Sequence, residues 1–262
     1  LVMGKTAENL HDMYPEITKE MADEYAMLSQ QKTAKAYKDG KFNKMIVPMT
    51  VYTPEGWAVA DHDQQPRPDT TMEGLRELKT PFRPMGKVTP GNASGLNDGA
   101  CGVLLMSADK AKELDLQPKM RLVAFTYAGV RAEVMGLGPI PATHKVFKIS
   151  GLSMDDIDFI ELNEAFAVQC IAFMQEFKLK CPDEPRLNPW GGAIALGHPL
   201  ASSGARLMIH LMHEFAENPK AKYGLATMCV GLGQGGSVIW ENLQGDGKKT
   251  PKKKAATKRK KK

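Results

Sequence analysis

No cysteine occurs in the first 100 residues of this 262-residue chain. The four that follow, Cys101, Cys170, Cys181 and Cys229, are scattered without CxxC spacing. That excludes a zinc ribbon and a disulfide framework, and it fits reduced thiols in a cytoplasmic protein. No apolar run approaches the roughly 18–20 residues that cross a bilayer, so no transmembrane helix is expected. The N-terminal Leu1-Val2-Met3-Gly4-Lys5 lacks the layout of a signal peptide. It also lacks an initiator methionine, which suggests that the sequence begins inside something longer. No internal repeat is present.

Acidic residues are nearly missing from the C-terminus. Ten Lys and Arg residues lie between Lys248 and Lys262, against the single acid Asp246. The net charge of +5 therefore belongs to this tail, and the remaining body is slightly acidic. Residues 244–262 are expected to be disordered, because Gly, Lys, Ala and Thr bury too little apolar surface to offset ordering. The basic clusters could contact nucleic acid, but without aromatic residues such binding would be non-specific and salt-sensitive.

The rest of the chain is hydrophobic enough (42%) to form a globular core. Residues 1–43 read as helical, with Thr18 capping a run through Met21, Tyr25, Leu28 and Lys32 that ends near Gly40. Gln30, Lys35 and Lys38 are expected to face water. Ile46 to Tyr52 alternates like a strand, and Thr53 to Pro90 reads as a long irregular loop. A Gly-rich entry, Gly91 to Gly99, leads into the apolar run Ala100 to Met106, read as a strand, and a short helix at Ala108–Leu114. Further strands are expected at Arg121–Met135, Ile157–Leu162, Tyr223–Cys229 and Ser237–Glu241, the last two paired antiparallel. Helices are expected at Ala142–Ile149 and Ala165–Phe177, and after a cap at Ser202 or Ser203. Alternating strands and helices give an α/β fold.

Three motifs carry the chemistry: Asn163-Glu164-Ala165-Phe166, Gly191-Gly192-Ala193-Ile194-Ala195-Leu196-Gly197-His198-Pro199, and Cys229-Val230-Gly231-Leu232-Gly233-Gln234-Gly235. His198 stands before proline in a stiff turn, with a helix N-terminus nearby to favour a developing oxyanion. A thiol followed by glycines, as at Cys229, can serve as acid, base or nucleophile beside closely approaching backbone N–H groups. Each residue alone has a plainer reading: a core histidine, a small core cysteine, an N-cap asparagine. Together they are the equipment of an acyl-transfer site.

These motifs resemble the thiolase family. So do Met3-Gly4-Lys5-Thr6-Ala7-Glu8-Asn9, Ser29-Gln30-Gln31-Lys32, Val88-Thr89-Pro90-Gly91-Asn92-Ala93-Ser94-Gly95-Leu96-Asn97-Asp98-Gly99-Ala100 and Met135-Gly136-Leu137-Gly138-Pro139-Ile140-Pro141-Ala142, in order over residues 1 to about 243. The resemblance implies a thiolase-like layered αβαβα architecture with a helical loop domain at 1–96. A remnant of the N-terminal thiolase domain would cover 97–120, and the C-terminal thiolase domain 121–243. It implies thiolytic cleavage of 3-ketoacyl-CoA, or the reverse Claisen condensation, with coenzyme A as substrate, no cofactor and no metal. By similarity His198 activates the nucleophilic cysteine and Cys229 moves the α-carbon proton. Asn163 holds an oxyanion-hole water, and the Gly231 N–H forms half of a second oxyanion hole. Ser94, Arg67, Phe82 and Met3 fall where family members contact CoA. The Asn-Glu-Ala-Phe form points away from carrier-type and trifunctional-complex thiolases, and the His and Cys motifs look more like those of degradative enzymes.

Against that pattern, no cysteine stands where the family's nucleophile belongs. The resemblance therefore implies an incomplete N-terminal half, with the chain probing one of three arrangements: an incomplete record of a full enzyme, one half of a split enzyme, or a non-catalytic CoA-binding relative. Partners implied are CoA thioesters, a segment supplying the nucleophile, and a second copy in a homo-oligomer. Lacking most of one sheet, the polypeptide is expected to expose a broad apolar face. Two smaller departures are Ala201, where a glycine is usual, and Pro90 before Gly91.

Overall fold

The computed structural model describes residues 2–245. The basic-tail reading thus lies outside the described residues, apart from Gln244 and Gly245. Two helices open the chain, α1 (Met3–Met13) and α2 (Lys19–Lys38). As expected, the Thr18 hydroxyl caps α2 by accepting from the Met21 N–H, and Gly40 turns the chain out at φ +70°.

The chain then forms a hairpin, β1 (Met49–Thr53) and β2 (Gly56–Ala60), paired antiparallel from Met49↔Ala60 to Thr53↔Gly56. The second strand was hidden in what reads as irregular sequence, because its burial does not alternate cleanly. A one-turn helix, α3 (Met72–Arg76), follows and is capped by Thr71.

The main sheet has four strands in the order β3 (Met120–Gly129), β6 (Gln234–Asn242), β5 (Tyr223–Val230), β4 (Phe159–Leu162). The expected antiparallel pair is β5 with β6, while β4 runs parallel to β5. Strand β3 stops at Gly129, opposite Gln234, rather than reaching Met135. Its partner begins there, so Ala132–Leu137 coils into a 3-10 turn instead. Helix α5 (Pro139–Ser150) packs on one face of β3 and β6, where the Thr126 hydroxyl donates to the Ala142 carbonyl. Helix α6 (Ala167–Glu176) is buried from Ala167 to Met174, with α1 and α2 packed on it. After the short α7 (Ala193–Leu196), helix α8 (Leu200–Glu217) packs on β4 and β5. It starts two residues before the expected serine caps. The hydroxyls of Ser202 and Ser203 instead turn back to the Pro199 carbonyl.

The apolar run Ala100–Met106 is not a strand. It lies ahead of α4 (Ala108–Glu113) with Leu104 80% exposed, paired with none of the described strands. Phe125 and Tyr127 are likewise exposed on the face of β3 opposite Thr126. An apolar surface of the kind expected is therefore present.

Gln30, expected to face water, is buried. Its amide spans from the Arg67 N–H to the Ile194 carbonyl. It belongs to the seam between α2 and the 187–194 loop, whose centre is the buried carboxylate of Glu164. That group accepts from Tyr25 Oη (3.1 Å), Ser29 Oγ (2.7 Å), Asn188 Nδ2 (2.9 Å) and the Ile194 N–H (3.1 Å). Gly192 passes so close to this carboxylate that a side chain there would overlap it.

Replacing Glu164 with Ala leaves four donors unpaired in the core. The expected loss is on the order of 3 kcal/mol, read as a lower urea midpoint with unchanged m value. Tyr25→Phe removes one of the hydrogen bonds to that carboxylate and is expected to cost about 1.5 kcal/mol by the same measurement.

Candidate active site

The site forms where the C-terminal end of β4, the loop before α8 and the end of β5 converge. Asn163 prolongs the parallel ladder, its N–H donating to the Thr227 carbonyl at 3.0 Å. The segment from Asn92 to Asn97 stitches the first two motifs together. Ala93 bridges to Phe166, Ser94 N–H donates to the Ala165 carbonyl, and Leu96 bridges to His198.

Asn163 Nδ2 lies 3.3 Å from His198 Nε2, and Ser203 Oγ lies 2.6 Å from His198 Nδ1. The Ser203 hydroxyl donates to the Pro199 carbonyl at 3.0 Å, which leaves its oxygen to accept from the ring. Nδ1 then carries the proton and Nε2 presents a lone pair toward Asn163. This tautomer is assigned from the network. Burial, aided by the Arg206 cation, pushes the imidazole pKa down to about 4, so the ring is neutral at pH 7.

Cys229 enters through a second path. Its thiol lies 3.6 Å from Gln169 Oε1, and Gln169 Nε2 donates to the Asn163 carbonyl at 3.1 Å. One hydrogen-bonded chain thus runs Cys229–Gln169–Asn163–His198–Ser203. Burial pushes the Cys229 thiol up to about 12, so it is protonated at neutral pH. Gly231 follows in the β5–β6 turn with open space around its Cα. The backbone beyond it, at Leu232 and Gly233, adopts positive φ.

The candidate CoA residues separate into two groups. Arg67 lines a cleft of about 590 Å3 together with Gln30, Thr71, Leu75, Gly95 and Ile194. Ser94 stands between two of its lining residues, Ala93 and Gly95, with its hydroxyl turned to the Ala165 carbonyl. Met3 and Phe82 are not among the lining residues. Met3 opens α1, and the Phe82 ring lies against its neighbour Gly4. Among the described residues no group of His, Cys, Asp and Glu could hold a metal ion, and no helix is long and apolar enough to cross a membrane.

The sequence offers no role for Gln169, Asn97 or Arg206 and reads Ser203 only as a helix cap, whereas the structure places all four around Asn163 and His198. Ser203 stands five residues after His198 and Gln169 six after Asn163. These spacings meet only because a helix begins right behind each motif.

Comparison with known proteins identifies the family and the fold. The thiolase N-terminal domain profile matches residues 1–109 and the thiolase C-terminal domain profile matches residues 116–242. A 3-oxoadipyl-CoA/3-oxo-5,6-dehydrosuberyl-CoA thiolase of Escherichia coli is 47% identical over 242 residues, covering 92% of this chain and 60% of the relative. The crystal structure of a Bacillus anthracis acetyl-CoA acetyltransferase superposes with a TM-score of 0.88 at 43% identity, over 93% of this chain and 60% of that one. A human mitochondrial 3-ketoacyl-CoA thiolase in complex with CoA superposes with a TM-score of 0.85 at 40% identity, over 92% and 59%. The chain thus spans about 60% of the length of the relatives it matches. With both domain profiles matched in order and the fold shared, the chain belongs to the thiolase family.

Proposed function

We propose that this chain supplies the acid–base and CoA-binding part of an acyl-CoA:acetyl-CoA C-acyltransferase, whose nucleophilic cysteine comes from a segment outside it. The observation that carries this is the Cys229–Gln169–Asn163–His198–Ser203 network, which holds a protonated thiol and a neutral imidazole in one buried site. No second thiol joins that network. Cys170 is sealed inside α6, and Cys101 lies exposed in the unpaired 100–106 run. The exposed Leu104, Leu105, Phe125 and Tyr127 support a missing partner segment, because exposed apolar surface of this kind is normally covered. Four free cysteines are in keeping with a reducing, cytoplasmic setting.

In this reading the supplied thiolate attacks the keto carbon of a 3-ketoacyl-CoA, with His198 Nε2 taking the thiol proton. The bond to the α-carbon breaks, its electron pair becomes an enolate, and Cys229 protonates it to give acetyl-CoA. A second CoA thiol takes the acyl group and gives its proton to the Cys229 thiolate, while His198 returns its proton to the released nucleophile, so both groups are restored. Asn163, through the water it holds, and the Gly231 N–H stabilise the two oxyanions with donors fixed in place before the reaction. Arg67 and Ser94 bind the CoA along the cleft, with Met3 and Phe82 making further CoA contacts from the start of α1.

The decisive experiment measures thiolysis of acetoacetyl-CoA and a longer 3-ketoacyl-CoA by this chain alone, and again with the nucleophile-bearing segment of a thiolase joined to it. The chain alone is expected to form no acyl-enzyme, and the joined form to turn over. Full activity from the chain alone removes the claim that its nucleophile is elsewhere. An inactive joined form that folds and binds CoA leaves a non-catalytic CoA-binding protein.

In the joined form Cys229→Ser is expected to lower kcat by about 10²- to 10⁴-fold with little change in KM, the pattern of a lost proton-transfer group. Arg67→Ala is expected to weaken CoA binding about tenfold by calorimetry. Iodoacetamide labelling of Cys229 in the native chain is expected to stay slow from pH 7 to 9 and to rise toward pH 12, since the reactive thiolate forms only as pH approaches its raised pKa.

A further inference from the structure

The peptide unit that joins Gly197 to His198 is gripped on both edges. Its carbonyl accepts from Arg206 Nη1 at 2.7 Å, and its N–H donates to Asn97 Oδ1 at 2.9 Å. Gly197 sits at φ +91°, ψ 169°, a region open in practice to glycine alone. A side chain there would also run into that of Asn97.

Arg206 reaches this carbonyl from the second turn of α8, the same helix whose Ser203 holds the imidazole. Its Nε and Nη2 are buried without hydrogen-bond partners. Burying a guanidinium for a single hydrogen bond is costly. The acidic side chains nearest it are Glu161 from β4, Glu164 just beyond β4 and Asp63 from the loop after β2. Behind it, His210 Nδ1 lies 3.3 Å from Glu161 Oε2. Burial holds Glu161 up to about 8 and His210 down to about 4, so that contact joins two neutral groups near pH 7. Arg206, which keeps its charge at any ordinary pH, is thus the cation that faces His198.

We propose that Arg206 is a positioning residue for His198, acting with Asn97: the two fix the Gly197–His198 peptide from opposite edges, so that the imidazole enters the site in one orientation and one tautomer. This deepens the acyl-transfer reading and rests on it for the importance of His198. Neither residue touches the reacting atoms in this arrangement.

The test is nitrogen NMR of the full chain labelled at its histidines, from pH 4.5 to 8, with the His198 signals identified by their loss in His198→Asn. The wild type is expected to show a neutral His198 protonated at Nδ1 across the range. In Arg206→Met, the His198 midpoint is expected to shift upward into the window and both tautomers to appear. Arg206→Lys keeps the charge without the planar fork, and is expected to show mixed tautomers with a smaller upward shift. A folded Arg206→Met with unchanged His198 midpoint and tautomer overturns the proposal, since a merely structural residue would alter only melting. If Arg206→Met does not fold, Asn97→Ala decides: mixed tautomers support the clamp, and a single unchanged tautomer overturns it. Altered spectra alongside a joined enzyme that shows no thiolysis remove the acyl-transfer reading and leave the clamp standing. Thiolysis with unchanged spectra does the opposite.

Discussion

The Glu164 carboxylate is the constraint on which the rest of this structure depends. A buried carboxylate is tolerable only when its lone pairs are filled, and here four donors converge from three separate parts of the chain. Tyr25 and Ser29 come from one face of α2, Asn188 from the loop beside β4, and the Ile194 N–H from the start of α7. Satisfying one charge therefore docks the N-terminal helices, the edge of the sheet and the His198 loop together. Asn163, the next residue back along the chain, inherits a fixed position from this arrangement. The same grip explains the glycines at 191 and 192, which let α2 and the carboxylate approach the loop backbone.

From that anchor the site is assembled by helix starts. The β4 strand delivers Asn163, and α6 begins soon enough afterwards to return Gln169 beneath it. The His198 loop ends at Pro199, where α8 begins and returns Ser203 to the imidazole and Arg206 to the backbone. Burial then sets the chemistry. The same desolvation keeps the Cys229 thiol protonated and the His198 ring neutral, because each would have to carry a charge away from water. A proton donor and a proton acceptor are thereby held in one hydrogen-bonded chain.

The outer edges of the fold are less complete than its interior. Helix α8 covers β4 and β5, leaving Phe125 and Tyr127 of β3 in contact with solvent. The 100–106 run is apolar but unpaired. Both features leave apolar surface uncovered among the described residues. They accord with a chain that matches about 60% of its relatives' length.

The sequence by itself determined the order of the elements, the α/β class and the three motifs. Those follow from local causes: apolar periodicity, the Thr18 cap, the turn at Gly40 and the Gly-rich loops around His198 and Cys229. It also carried the family, because contiguous blocks survive as text. Only the tertiary structure decided what depends on partners distant in the chain. Gln30 looks solvent-facing on its helix and becomes buried because the Arg67 N–H and the Ile194 carbonyl meet it there. Ala100–Met106 reads as a strand, but it pairs with none of the described strands. The roles of Gln169, Asn97 and Arg206 were likewise invisible, since each is defined by a hydrogen bond to a backbone or side chain that only the fold brings near. The proton on His198 is the clearest case: its position is set by Ser203 and Asn163, and no local pattern around the histidine specifies it.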